Sequence, residues 1–398
     1  MINPSASGWI DKFFAQLKNR LPVHPNSHDF YRSVRDTGFI YGHVVSFSNL
    51  DTKETKGWTT EEITKVALLN TLYDVYRLVN KQDDPKSFIE KGILFYKEMT
   101  PEGFDFFKKV LPAGTQSHRL EEILDERIRT NNNILSRNFS HILTNALLFM
   151  DILAFRQYLL NNEIPEKYLK KLEETVMSIV SLALKTKTER STYDNLLIKL
   201  FESSVRYTKF SSINTDDLEK LELKYFTSKP EKNYLLDMAG MAIWSDGKAQ
   251  ESEIDFLYRL AKQLEINDEI AAESIASFHL FIKMNRKEIP FFRYSNPVKH
   301  FYDHASQNVM LLIRRNKKRL VKELSNNAEL MLLLTHSTHR NLEDKEKKKI
   351  KKQLLEICKT IPSLTIFLLP GGSLLLPLLI KFIPQLLPSM FNENLDNE

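Results

Sequence analysis

The stretch Ile361–Ile380, IPSLTIFLLPGGSLLLPLLI, decides how the rest of this sequence is read. It holds 20 consecutive residues without a formal charge. A straight helix of that length spans ~30 Å, about one hydrocarbon core. Beyond it Lys381 can snorkel, and Phe382–Pro388 is apolar again. Prolines recur at Pro362, Pro370, Pro377, Pro384 and Pro388, and Pro370-Gly371-Gly372 marks a break. Inside a bilayer a broken helix needs other groups to satisfy its freed backbone. One clean span, a re-entrant hairpin, an interfacial wedge and a helix pair buried in a soluble fold are therefore the competing shapes. So many prolines and glycines suit an interior helix in water poorly. The expectation is a proline-punctuated, membrane-type helical segment.

The flanks give it a direction. Lys345, Lys347, Lys348, Lys349, Lys351 and Lys352 precede it, and Glu393, Asp396 and Glu398 follow. Positive charge on the N-terminal side places the bulk of the chain in the cytoplasm. The lysines are suited to anionic headgroups. They also suit RNA or the ribosome, but no aromatics are interleaved for base stacking, so the lipid role is favoured.

Working outward, hydrophobic residues make up 42% of the 398 and charged residues 27%, an ordinary globular balance. Mean hydropathy is −0.33, which confines any membrane role to one end. Glycine is scarce, at 11 residues, while helix formers abound, so the expected class is all-α. A net charge of +5 is too weak to argue for nucleic acid, and no specific DNA partner is expected. The single cysteine, Cys358, excludes an internal disulfide and reads as a packed thiol. Near the N-terminus Trp9, Ile10, Phe13, Phe14 and Leu17 share one side of a short helix, read as docked on the body.

Residues 1–225 read as a helical N-terminal body. In it Thr59-Thr60-Glu61-Glu62 forms a capping box ahead of Ile63, Val66, Ala67, Leu69, Leu72, Tyr73 and Tyr76 at helical spacing. Pro85 closes that element, Asn131–Asn133 marks a break and Pro165 opens another helix. Residues 226–290 predict three helices: one opening at Pro230, one after the turn Ser245-Asp246-Gly247, and one starting at Asn267-Asp268. Residues 291–360 are a basic helical connector, 361–391 the apolar segment and 392–398 an acidic tail.

Candidate chemistry is sparse. Asp246, Glu251 and Glu253 place carboxylates near one helix start, a set suited to a hard divalent cation. The competing reading is a turn followed by acids that favour a helix N-terminus. His300 and His304 share a helix face, but the stretch HFYDH lacks the zincin glutamate. No phosphate-cradling loop, nucleophile elbow or dinucleotide fingerprint is present, so no enzyme and no obligatory cofactor are expected.

Two resemblances rest on these residues. Asp246-Gly247 with the glutamate-rich helix after it resembles the tellurite-resistance TerB-like helical domain. Pro362, Pro370, Leu375-Leu376-Pro377, Lys381, Phe382, Pro384 and Leu387-Pro388-Ser389 with Phe391 resemble the transmembrane segment of the LETM family. Together they make the chain similar to bacterial LETM-related proteins, some of them biofilm-associated. The resemblance implies membrane residence, a link to cation/proton balance and contact with ribosomes. It also implies a long soluble ribosome-binding domain downstream of the segment. The sequence stops at Glu398, seven residues after Phe391, so that domain is not expected within it. The expected function is a non-enzymatic, membrane-associated envelope scaffold or accessory factor tied to cation homeostasis or surface adaptation. A ribosome-binding membrane tether and a component of a cation/proton transporter are the alternatives. Lipid, a second copy of the chain and the ribosome are the expected partners.

Overall fold

The computed structural model describes residues 2–17, 24–47, 49–50, 54–99, 115–128, 145–186, 217–243, 249–287, 289, 297–340, 342–361, 364 and 375–386. Among these, every regular element is a helix. The chain forms two compact units: residues 1–130, 141–190 and 205–295 in the first, and 131–140, 191–204 and 296–398 in the second.

The first unit contains α1 (Trp9–Leu17), α2 (Ser27–Asp36), α3 (Thr60–Asn80), α4 (Pro85–Met99), α5 (Gln116–Ile128), α6 (Phe149–Asn161), α7 (Tyr168–Lys185), α8 (Lys229–Ile243), α9 (Glu251–Gln263) and α10 (Asp268–Asn285). The expected capping box starts α3. The Thr59 side chain accepts from the Glu62 N–H, and the Glu62 carboxylate accepts from the Thr59 N–H at 2.7 Å. In α1, Trp9, Ile10, Phe13 and Phe14 are buried, as an apolar stripe at helical spacing requires. The Glu121 carboxylate of α5 accepts from the N–H groups of Gly8 and Ile10, which satisfies donors that a helix start leaves open. Pro85 both closes the loop after α3 and opens α4, where its missing N–H costs nothing.

Helix α8 is buried on almost every side and packs against α2, α7, α9 and α10. Its two buried carboxylates survive there because each is met. Asp237 accepts from the Tyr31 hydroxyl at 2.5 Å, from Arg35 Nε at 3.1 Å and from the Ser274 hydroxyl. Glu231 accepts from Tyr168 and from Gln157, both at 2.7 Å, and from the Ser228 N–H. Burial and the Asp237 charge raise Tyr31 well above the ordinary tyrosine range, so it stays a neutral donor. Between α2 and α3, Gly38 holds a left-handed φ of +80°, and a Cβ there would run into the His43 carbonyl oxygen.

The second unit contains α11 (Pro297–Arg315), α12 (Lys317–Ser325), α13 (Ala328–His339), α14 (Asp344–Thr360) and α15 (Leu376–Leu386). Helix α15 packs on α11 and α13, and α13 also packs on α12 and α14. The core includes Val309, Ile313, Leu320, Leu324, Leu330, Leu334, Ile350, Leu354, Leu379 and Ile383, all fully buried.

The membrane-type segment lies largely outside the described residues, to which it contributes only Ile361, Leu364 and residues 375–386. No helix among the described residues is long and apolar enough to cross a membrane. Helix α14 ends at Thr360, and the cap residue Ile361 takes an extended conformation (φ −112°, ψ 106°). That residue precedes Pro362, and a proline disfavours the helical region for the residue before it. Helix α15 begins only at Leu376 and has 11 residues, ~16 Å against the ~30 Å of a hydrocarbon core. Pro384 lies inside it and removes a helix hydrogen bond near its end. Its faces are also unequal: Leu375, Leu376, Leu379 and Ile383 are buried, while Pro377, Lys381 and Gln385 are exposed at four-residue spacing. One wet stripe on an otherwise covered helix is the pattern of a helix docked on a protein core.

Candidate functional site

Helix α14 is the most strongly two-faced element of the second unit. Ile350, Leu354, Ile357 and Cys358 are buried on one side, at the spacing of successive turns. At 100° per residue, Lys345, Lys348, Lys349 and Lys352 fall within about 100° of one another on the opposite side. All four are exposed. Lys347 is exposed in line with the buried stripe, one turn before it begins at Ile350, and Lys351 is half-buried at its edge. Burial alone pushes the Cys358 thiol up to about 12, so it is a packed, unreactive group, in keeping with the sequence reading.

The start of α14 is clamped by charge. Glu343 caps the helix in a box with Glu346, whose carboxylate accepts from the Glu343 N–H at 2.8 Å. Arg340 donates to both oxygens of Glu346, at 2.8 and 2.6 Å. These bonds, first that from Arg340, hold the Glu346 carboxyl down at about 2. Lys349 pairs with Glu329 of α13, and Gln353 donates to the same carboxylate at 2.9 Å, which keeps Glu329 below the usual carboxylate range. Lys349 is thus partly spent within the unit, while Lys345, Lys348 and Lys352 form no ion pair with a described residue.

The other residues singled out in the sequence fall as follows. Lys381 on α15 reaches the Tyr302 hydroxyl at 3.4 Å and lies over the rings of Tyr302 and Phe382. Pro377 is exposed and Pro384 buried within α15. Pro362, Pro370, Gly371, Gly372 and Pro388 lie outside the described residues, as do the break at Asn131–Asn133 and the acidic tail. The three helices expected over 226–290 are α8, α9 and α10, with Asn267 capping the last through its side chain at 2.9 Å from the Ile270 N–H. Asp246 lies outside the described residues. Glu251 is exposed at the first position of α9. Glu253 is buried and accepts from the Gln250 N–H at 2.7 Å, a capping role. Among the described residues no group of three His, Cys, Asp or Glu side chains could hold a metal ion.

Sequence reasoning missed two features. One is the Tyr31–Arg35–Asp237–Ser274 cluster, whose members lie far apart in the chain and leave no local signal. The other is a second run of cations, Arg314, Arg315, Lys317, Lys318, Arg319 and Lys322, all exposed. Its signal is plain in RRNKKRLVKE, but the denser run at 345–352 drew the reading.

Comparison with known proteins bears on one end of the chain. Residues 342–398 are similar to the family described as LETM1-like, RBD, a family of ribosome-binding domains. The matched residues include α14 with its lysines, α15 and the whole proline series. No curated protein matches the chain, and no solved structure does. The LETM likeness of the apolar segment therefore stands, with one change of place. A ribosome-binding domain was expected downstream of that segment; the likeness to one instead covers the segment itself.

Proposed function

We propose that this chain is a non-enzymatic, LETM-type ribosome-binding protein that works at the cytoplasmic face of a bacterial inner membrane. The observation that carries the reading is where the likeness falls. The part of the chain similar to a ribosome-binding domain is the part whose first helix turns Lys345, Lys348, Lys349 and Lys352 outward from a packed apolar face. Lysines held this way suit phosphate oxygens, which dominate affinity for ribonucleoprotein surfaces and make it salt-dependent.

Sedimentation of the full chain with ribosomes through a sucrose cushion at rising salt tests this. The chain should pellet with ribosomes at low salt and be released as salt rises. Changing Lys345, Lys348 and Lys352 to Glu should release it at lower salt, with Lys349 kept because it pairs with Glu329. Failure to pellet at low salt sinks the proposal.

The membrane part of the reading is supported by the charge-free stretch 361–380 and by the lysines ahead of it. It does not require a helix that crosses. Flotation with anionic vesicles is the check: a chain that stays at the bottom of the gradient removes membrane association while leaving ribosome binding standing.

A further inference from the structure

Helix α10 carries an outer face that no described residue covers. On its inner side Ala271, Ser274, Phe278, Phe281 and Ile282 are buried, and the helix packs on α8 and α9. At 100° per residue, Glu269, Ala272, Ala276, Leu280 and Lys283 fall within about 80° of one another on the opposite side. All five are exposed. Leu280 is left 53% exposed, and Met284, at the rim of the same face, 71%. Neither Glu269 nor Lys283 forms an ion pair with a described residue.

The dipole of α10 accounts for acids at its start and a cation near its end. It does not account for two large apolar side chains kept in water four residues apart, beside two exposed alanines. A scattered exposed leucine needs no explanation, whereas apolar side chains gathered on one face and rimmed by charge mark a contact surface.

The order of residues along the face selects its partner. Ala272 and Leu280 lie four residues to either side of Ala276, and Glu269 and Lys283 lie seven. The face is therefore complementary to itself turned end for end. With Ala276 on a two-fold axis, Leu280 of each copy lies over Ala272 of the other, and Lys283 of each meets Glu269 of the other. Alanines at the centre let two helix axes approach to ~8 Å, the close end of the usual range. A parallel pair would instead set Glu269 on Glu269 and Lys283 on Lys283. Sliding the antiparallel pair so that Lys283 meets Glu273 would compete with Arg32 and Arg35, which already hold that carboxylate. An anionic lipid or nucleic-acid surface would be repelled by Asp268 and Glu269 at the start of the helix.

We propose that α10 is a homodimer contact, pairing antiparallel with α10 of a second copy of this chain about Ala276. This contact is independent of the ribosome and membrane readings. One helix pair buries less than the ~800 Å² per partner of a standard interface, so the dimer is weak and depends on concentration. Sedimentation velocity of the full chain from about 5 to about 200 μM is the test. Dimer should grow in over that range, and a monomer throughout overturns the proposal. Glu269→Lys and Lys283→Glu each bring like charges together at two places and should each weaken self-association at least about ten-fold. Mixed in equal amounts, the two variants regain both ion pairs and should return to within about three-fold of the wild-type affinity. A variant weakened only because its own helix is destabilised is not rescued by mixing. Dimers indifferent to either reversal, or no recovery on mixing, overturn the pairing. Should the reversals fold poorly, Ala276→Cys in a Cys358→Ala background decides the matter. A residue on the two-fold axis faces itself, so this variant should crosslink into a dimer on oxidation. Ala272→Cys leaves its two thiols ~12 Å apart along the axes, beyond disulfide reach, and should stay monomeric on a non-reducing gel. No crosslink at 276 overturns the proposal.

Discussion

The two units treat the same ionic side chains in opposite ways. In the first, Arg35, Glu121, Asp151, Glu231 and Asp237 are buried, and each is met by designated partners. In the second, the cations lie outside, and the run from Arg314 to Lys322, where α11 meets α12, pairs with no described residue. Solvation explains the difference. An ion buried without a partner forfeits its hydration and costs several kcal/mol, so it must be paired. An exposed one keeps its water and can remain single at almost no cost. The buried charges of the first unit therefore specify its fold, while the unpaired cations of the second are available to something outside it.

Several measurements would break or sharpen that contrast. The largest effect is expected from Asp237→Ala, which leaves the buried Arg35 guanidinium with only the more distant Glu273 carboxylate, at 3.7 Å. Urea unfolding should show a loss of about 3–5 kcal/mol. A loss below about 1 kcal/mol would mean that the cluster does not organise the first unit.

Next is Leu379→Ala in α15, expected to cost about 2–4 kcal/mol in aqueous buffer. A lipid-facing leucine would leave stability in water unchanged, so this substitution also tests the packed reading of the apolar segment.

Cys358 supplies a pH test. Its thiol ionises near 9.0 when free and at about 12 when folded, because burial disfavours the thiolate. The raised folded value means that stability is intact below pH 9 and is lost as pH rises toward 12. Read from denaturant midpoints, Cys358 should supply about 1 kcal/mol of the stability lost between pH 9 and 10. Cys358→Ala should remove that part of the slope and leave the part due to buried tyrosines such as Tyr31.

Thr59→Ala removes one arm of the capping box on α3 and should cost about 1 kcal/mol by urea titration. Smallest of all, Lys317→Glu should raise the melting temperature by roughly 1–3 °C, since an acid replaces a cation at the positive end of α12. A drop would show that Lys317 serves the fold, and that this run of cations is not spare charge.

What could be read in advance follows how local each signal is. The box of Thr59 and Glu62 closes within one helical turn, so its two residues announce it together. The same holds for Asn267 at the start of α10 and for the apolar stripe of Ile350, Leu354 and Ile357. Even the docking of α1 was legible, since Trp9, Ile10, Phe13 and Phe14 require a cover. The Asp237 cluster was not, because Tyr31 and Arg35 lie 206 and 202 residues away from it. Glu253 was read both as a carboxylate for a cation and as an acid favouring a helix N-terminus; it is buried at the start of α9, accepting from the Gln250 N–H.

Ile361–Ile380 marks the division most clearly. By itself the sequence determined that this stretch is uncharged, that prolines punctuate it and that a run of lysines precedes it. Each of these follows from residue chemistry alone. Only the tertiary structure decided what covers the apolar surface of α15. Apolar side chains leave water for lipid or for protein with much the same gain. The choice therefore rests on whether α11 and α13 offer a fitting face, and they do.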